Sequence, residues 1–424
     1  MAKEQLPVLV VGAGPVGCFI AYRLGKAGIP VQIFEKESAL PYTPRAVGYY
    51  GATQVVFQET GLYDLVRAEG FMTAGLCWRT LPIDDGKGGK RLGDLLAAQP
   101  LSDPSDPVKA CPSGLLNLRQ SELTKLVLEE ALKTGNVKIQ FNSELSSIQQ
   151  GDDKVTIDFE NKDLPAVTGS YLVGADGGRS KTRKLIGTPC LGHTWPERLI
   201  STDVILGNYV DPVWHTCYII GTQNYTIMTP LTDPIVGEKS LWRCTVAIPP
   251  EDQRSDEELL QEEVIQGLYE EVVSGPRPLP AEIKAKAVYR IHQRLVPTMR
   301  KGRCVLAGDA AHMNNPYGAM GLNTGLLDGD ALAEALIMVL NEGRSNKILT
   351  SYSDARRRVF RYFVDPTTTA NKLRLHLASE TAAEDDDYLR SLQNPTAEEM
   401  EKGAKPYFET WRTDMRAVAK DAGL

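Results

Sequence analysis

Residues 7–37 read PVLVVGAGPVGCFIAYRLGKAGIPVQIFEKE. Val8 to Val11 is an unbroken apolar run of β-formers, the pattern of a strand buried on both faces. Gly12-Ala13-Gly14-Pro15-Val16-Gly17 interrupts it, CFIAYRLGKAG continues as a helix, and VQIF forms a second strand ending at Glu35. This is G-x-G-x-x-G with a strand before it, a helix after it and an acid about twenty residues on. Gly12 permits the tight turn, Gly14 lets backbone amides approach a pyrophosphate, and Gly17 lets the helix pack close to the strand. The free amides and the dipole at the helix start favour an anion. Glu35 can accept hydrogen bonds from ribose hydroxyls and would repel a 2′-phosphate. The stretch therefore predicts a Rossmann-like α/β unit that holds the ADP half of a dinucleotide. It leaves open whether the other half is nicotinamide or flavin.

Two further stretches have the same strand-to-helix texture. SYLVGADGGRSKTRKLIG (170–187) is a strand broken at Asp176-Gly177-Gly178, with a helix beginning near Ser180. Asp176 can cap that helix or hold a sugar hydroxyl. GRCVLAGDAAHMNNPYGAMGLN (302–323) is a strand ending at Gly308-Asp309, a turn through Pro316 and Gly318, and a helix start at Gly321-Leu322-Asn323. Asp309 can accept hydrogen bonds from a ribityl chain. Amides at residues 321–323 can stabilise negative charge on a reduced flavin ring.

The rest of the chain bounds the answer. A net charge of −7 gives no basic field for nucleic acid. The 7 cysteines and 5 histidines are scattered, with no pair at metal-ligand spacing. No metal is expected, and the thiols fit a reducing, cytoplasmic compartment. No apolar run is long enough to predict a membrane span. Residues 199–207, 215–231 and 240–250 alternate Ile, Val, Thr, Tyr and Trp with polar residues, which predicts an antiparallel sheet. DEELLQEEVIQGLYEEVV (256–273) reads as an amphipathic helix, residues 81–114 are loop-rich, and the chain after Gly343 is helical and charged.

The three motifs, G-x-G-x-x-G at 12–17, GADGGRS at 174–180 and GDAAH at 308–312, occur in the order and spacing of the flavin-dependent aromatic hydroxylases. The resemblance, which runs over about residues 6–340, implies FAD, with NAD(P)H as a transient co-substrate. It implies insertion of one oxygen atom from O2 into a phenolic, aromatic or polyketide-like substrate through a flavin C4a-hydroperoxide, as in secondary metabolism. It implies a mixed α/β (α+β) fold: an FAD-binding domain over 1–80, 112–190 and 285–345, a β-sheet substrate domain over 81–111 and 191–284, and a C-terminal helical region over 346–424. Pro316 would lie near the reactive carbon of the flavin. Arg45 and Arg119, with Gln120 as an alternative to the latter, would reach FAD. Residues 47–51 would border the ring. The strand bearing Arg243 would look into the substrate pocket. Arg243 could then favour a phenolate, with Tyr225 or His215 as a proton relay. The basic group Arg179, Lys181, Arg183 and Lys184 leans towards NADPH. The chain departs from the family at Asn315-Pro316 and at Ala319-Met320-Gly321, where Pro-Pro and Gly-Gln-Gly are common. A flavin-dependent halogenase or reductase on the same fold, or a non-catalytic FAD-binding protein, are the other readings. The halogenase signature Trp-x-Trp-x-Ile-Pro is not found.

Overall fold

The structure, a computed structural model, describes residues 5–40, 46–73, 75–101, 114–207, 216–235, 237–378 and 380–424. Arg45 and His215, singled out above, lie outside the described residues.

Val8–Val11 is buried throughout and sits inside a six-stranded sheet. The order is Val137–Gln140, Val31–Phe34, Val8–Val11, Tyr171–Gly174, Cys304–Leu306 and Arg300–Lys301. The first five run parallel and the last is antiparallel. This order puts the strands that precede the three motifs side by side. In a parallel arrangement their carboxyl ends share one edge, where such sheets bind ligands.

The helix Pro15–Lys26 starts with proline in its first turn, where a missing N–H costs nothing. Against it lies the long helix Met320–Leu340. Small residues set their approach: a Cβ at Gly325 would stand 2.8 Å from Val16, and one at Gly329 would stand 3.2 Å from Phe19 and Ile20. The expected helix start at Gly321 falls one residue after the observed one.

The second layer is an eight-stranded sheet. Its order is His312–Met313, Glu282–Leu295, Leu191–Gly207, Lys239–Ile248, Thr226–Pro230, Thr216–Ile219, Gly75–Arg79 and Leu95–Pro100. All neighbours are antiparallel except Thr216–Ile219 with Gly75–Arg79. One face packs Cys244, Val246 and Ile248 against the helix Glu262–Val272. The other face carries Trp78, Tyr218, Ala247 and Ile291, and packs against Tyr317 and Leu375. The acidic stretch 256–273 forms two helices: Asp256–Leu259, started by a capping box between Ser255 and Glu258, and Glu262–Val272.

The C-terminal part is helical, as its sequence predicts. Ile348–Val359 runs through a π-helical turn, Phe360–Val364, into Asp365–Arg374. After two short helices, Ala397–Phe408 and Met415–Asp421 follow. Among the described residues, no helix is long and apolar enough to cross a membrane.

Candidate active site

The three motifs meet. A Cβ on Gly12, whose φ is +102°, would stand 2.5 Å from the carbonyl oxygen of Ala175. A Cβ on Gly17 would stand 2.1 Å from the carbonyl of Gly12. These two glycines are required by packing. Gly14 is different: nothing lies within 4 Å of its Cβ position, and it begins the helix Pro15–Lys26 with no side-chain cap. The uncapped amides face open space, which is what a pyrophosphate needs. Glu35 is buried, and its carboxylate accepts from the amides of Ala13 (2.8 Å) and Glu37 (3.0 Å). It therefore shapes the turn and keeps lone pairs for ribose hydroxyls.

Gly308 adopts φ +60°, and a Cβ there would stand 3.1 Å from Val16. Asp309 makes no hydrogen bond or ion pair among the described residues and is only partly buried, which leaves its carboxylate available to a ribityl chain. The helix from Met320 follows Ala319, itself in the left-handed region at φ 52°, again with no side-chain cap. Gly321, Leu322 and Asn323 thus present a helix start of the kind expected under a flavin ring. The Asn323 amide donates to the carbonyls of Gly48 (2.9 Å) and Ala319 (2.7 Å), locking that start to the strand Gly48–Tyr49. An open, uncapped glycine cradle beside a buried acid, with a second uncapped helix start across the cleft, fits FAD.

Several of the predicted residues are engaged within the protein. Asp176 is taken up by the helix it precedes: it accepts from Ser180 Oγ and from the amide and hydroxyl of Thr182 (2.9 and 3.0 Å). It caps that helix. Two of the basic residues beside it are engaged within the protein. Arg183 is buried and donates to the carbonyls of Ala310 (3.0 Å) and Gly178 (2.7 Å), bracing the second motif against the third, while Lys181 pairs with Glu160 at 2.9 Å. Arg119 precedes the helix Gln120–Lys133 and pairs with Glu122. Arg243 does share the sheet face opposite the helix Glu262–Val272. It pairs with Asp203 of the neighbouring strand through Nε (2.8 Å) and one terminal nitrogen (2.7 Å), and its other terminal nitrogen is buried with no hydrogen-bond partner among the described residues. A guanidinium neutralised by a buried carboxylate is not a free cation for a phenolate. Tyr225 is buried, with its hydroxyl 2.7 Å from that of Tyr317, and burial pushes its pKa well above that of an ordinary tyrosine. Through that contact it props the loop after Pro316.

Pro316 stands exposed between buried Asn315 and Tyr317. Its loop is held on all sides. Asn315 donates to Gln293, which donates to Asp365 (2.6 Å) and Thr368 (3.0 Å). The Gly318 amide donates to the Tyr218 hydroxyl at 3.1 Å, and the Gly318 carbonyl accepts from Tyr50. Gly318 itself is obligatory, at φ +100° with Asn371 2.7 Å from a Cβ position.

Beside Gly318 opens a cavity of about 280 Å³. Tyr50 and Gly51 line it. Trp78 and Tyr218, stacked at 5.6 Å, form the sheet wall, and Tyr388, Met400 and Tyr407 of the C-terminal helices close it. Neither Arg243 nor Tyr225 lines it. Glu399 is the one charged lining residue among those described, and its carboxylate closes a capping box with Thr396.

Asp328 and Arg356 were not anticipated. Asp328 is fully buried in the long helix and accepts from the Gly308 amide (3.0 Å), His312 Nε2 (2.6 Å) and Arg356 Nε (2.6 Å). Burial pushes its carboxyl up, but His312 and Arg356 outweigh that and hold it below the usual carboxylate value. The signal was present in GLLDGDAL: carboxylates in an apolar helix need buried partners. Asp330 has them too, in Arg23 and Arg412.

Comparison with known proteins agrees with this geometry. The family model described as an FAD binding domain matches residues 5–367. The chain is 34% identical over 373 residues to the para-nitrophenol 4-monooxygenase of Pseudomonas sp. (strain WBC-3), covering 86% of each. It is 30% identical over 380 residues to the 6-hydroxy-3-succinoylpyridine 3-monooxygenase HspB of Pseudomonas putida (strain DSM 28022 / S16), covering 87% of this chain and 88% of that one. Among solved structures it resembles p-nitrophenol 4-monooxygenase PnpA from Pseudomonas putida DLL-E4, with a TM-score of 0.78, 29% identity and coverage of 99% and 98%. It also resembles aklavinone-11 hydroxylase in complex with FAD and aklavinone, with a TM-score of 0.74, 26% identity and coverage of 91% and 72%. These matches favour oxygenation over the halogenase, reductase and non-catalytic readings, and the chain belongs to the FAD-dependent aromatic hydroxylases as an FAD-dependent monooxygenase.

Proposed function

We propose that the enzyme inserts one atom of O2 into a single-ring phenol, with NAD(P)H as electron donor. The observation that carries this reading is the aromatic-walled cavity of about 280 Å³ beside Gly318. Ligand pockets usually run from about 300 to 1,000 Å³, so this one suits one ring better than a polycycle. The nitrophenol-oxygenating relative supports the same size of substrate.

Bound FAD supplies the redox chemistry, taking electrons from NAD(P)H and activating O2. The chain's residues do the rest. The amides of Gly14, Val16 and Gly17 and the carboxylates of Glu35 and Asp309 would hold the cofactor, with Arg119 and, outside the described residues, Arg45 as further contacts. The helix start at 321–323 would stabilise negative charge on the ring, and Pro316 would border its reactive edge. The Tyr218 oxygen accepts from Gly318, so its own proton is directed to the cavity, where it holds the phenolic oxygen. Burial pushes the Tyr218 pKa up to about 12, so it acts as a donor and not as a base. Trp78, Tyr388 and Tyr407 exclude water from the oxygenating species. The unpaired thiols Cys18, Cys77, Cys190, Cys244 and Cys304 support a reducing, cytoplasmic setting.

The test is to follow NAD(P)H oxidation by the FAD-loaded enzyme with single-ring phenols, carboxylated phenols and polycyclic phenols. Single-ring phenols should accelerate oxidation most and yield an oxygenated product in near-equal amount. Acceleration by polycycles alone would overturn the proposed substrate class, and no acceleration by any phenol would overturn the phenol reading.

A further inference from the structure

Residues 407–413 lie beyond the part of the chain matched by the FAD-binding family model, which ends at 367. They nevertheless press on three parts of the flavin site. First, the carbonyl oxygen of Tyr407 stands 2.6 Å from the Cβ position of Gly51, whose φ of +57° also requires glycine. Second, the indole of Trp411, fully buried, packs on Tyr50 at 5.5 Å. Tyr50 in turn donates to the carbonyl of Gly318. The Trp411 Nε1 donates to Thr324 Oγ1 at 2.9 Å, and that hydroxyl donates to the carbonyl of Met320, the first residue of the long helix, at 2.7 Å. Third, the Trp411 carbonyl accepts from Arg356 at 2.7 Å. Arg356 reaches Asp328, and Asp328 holds the Gly308 amide.

We propose that Trp411 is a positioning residue for FAD. Its buried side chain fixes the first turn of the long helix and the Tyr50–Gly318 contact, and its backbone carbonyl ties the same residue to the Gly308 turn through Arg356 and Asp328. Amides at a helix start stabilise charge only to the extent that their direction is fixed before the ligand arrives. The Thr324 side chain meets Trp411 through the indole N–H, while the two backbone carbonyls are bridged separately by Arg356. The side chain that orients the helix start therefore belongs to the C-terminal segment and not to the cofactor-binding motifs.

The experiment uses the full-length holoenzyme with Trp411→Phe, which keeps a ring and removes the donor, and Thr324→Val, which keeps the indole and removes the acceptor. Tyr269→Phe is the control. It deletes a buried hydroxyl that bonds Thr202 on the far face of the eight-stranded sheet. FAD Kd, the visible circular dichroism of bound flavin and the melting temperature are measured for each. Both site variants should weaken FAD binding about fivefold, the effect of one lost hydrogen bond. They should also change the flavin dichroism in the same sense, while Tyr269→Phe lowers the melting temperature and leaves Kd and dichroism at wild-type values. If the site variants behave as the control does, the proposal is overturned. If Trp411→Phe does not fold, Thr324→Val decides by the same criteria.

Discussion

The hydroxyl oxygen of Tyr218 lies 3.1 Å from the amide nitrogen of Gly318. One residue is on the sheet wall of the cavity and the other is on the loop that follows Pro316. The bond makes the position of the loop depend on a residue that lines the cavity. Tyr218→Phe should raise KM for the phenol about tenfold through loss of one hydrogen bond to a polarised group. It should also send more of the consumed O2 to peroxide, because the loop amide loses its acceptor. Product formed per NAD(P)H consumed measures this directly. An unchanged KM and an unchanged yield would remove Tyr218 from the substrate contact.

Arg243 and Asp203 form a buried pair that the cavity does not touch. Arg243→Met should destabilise the fold by about 3–5 kcal/mol, because it strands a buried carboxylate. KM for the phenol should stay at the wild-type value in the folded enzyme. Adding Asp203→Leu should restore much of the loss, since the uncompensated charge is then gone. Urea unfolding of the single and double variants, with KM alongside, separates this role from a substrate-binding one.

Asp328 satisfies a backbone amide, a histidine and an arginine at once. Asp328→Asn leaves Arg356 buried without its counter-charge and should cost about 3–5 kcal/mol. FAD should be lost in the same thermal transition as the fold, because the Gly308 turn and the long helix lose their common anchor together. Following flavin fluorescence and far-ultraviolet circular dichroism in one melt tests this. Flavin release well before unfolding would show that the two are not joined through Asp328.

Glu197 is buried against Lys372 and His376, the latter at 2.9 Å. Burial pushes its carboxyl up, but the hydrogen bonds from His376 and Lys372 prevail and bring it down from 4.5 to about 2. The folded state therefore favours the ionised form. The stabilisation is complete above about pH 4.5 and is lost as the pH falls towards 2. Glu197→Gln should lower stability at neutral pH and flatten the acid limb of the stability curve over that window. Wild-type and variant melts from pH 7 to the acid limit report both effects.

Much of the cofactor site is legible in the amino-acid order, because backbone demands write themselves into sequence locally. Gly12, Gly17 and Gly308 are glycines because carbonyls or Val16 occupy the space a side chain would need. Asp309 stands at a strand end, where a ligand can reach it. The long-range pairings are the part that one-dimensional reading misses. Arg243 and Asp203 lie forty residues apart and meet only through strand register. Tyr225 meets Tyr317 across ninety-two residues. A charge or hydroxyl near the pocket in sequence cannot be told from one already engaged until its partner is known. The C-terminal contribution escapes for the same reason: Trp411 and Tyr407 carry no motif, and only the fold brings them to Tyr50 and Gly51.

The strand His312–Met313 pairs with Arg294 and Leu295 of the eight-stranded sheet, while the His312 ring is bound to Asp328 in the cofactor layer. One two-residue strand is thus a shared seam. The eight-stranded sheet cannot hinge away from the Gly308 turn as a rigid body without breaking its own edge. Access for substrate or nicotinamide then has to come from movement of side chains, loops or the C-terminal helices, not from separation of the layers. The seam also sets a rule for chimaeras: a transplanted substrate sheet must bring residues 312–318 with it, or its outermost strand will have nothing to pair with.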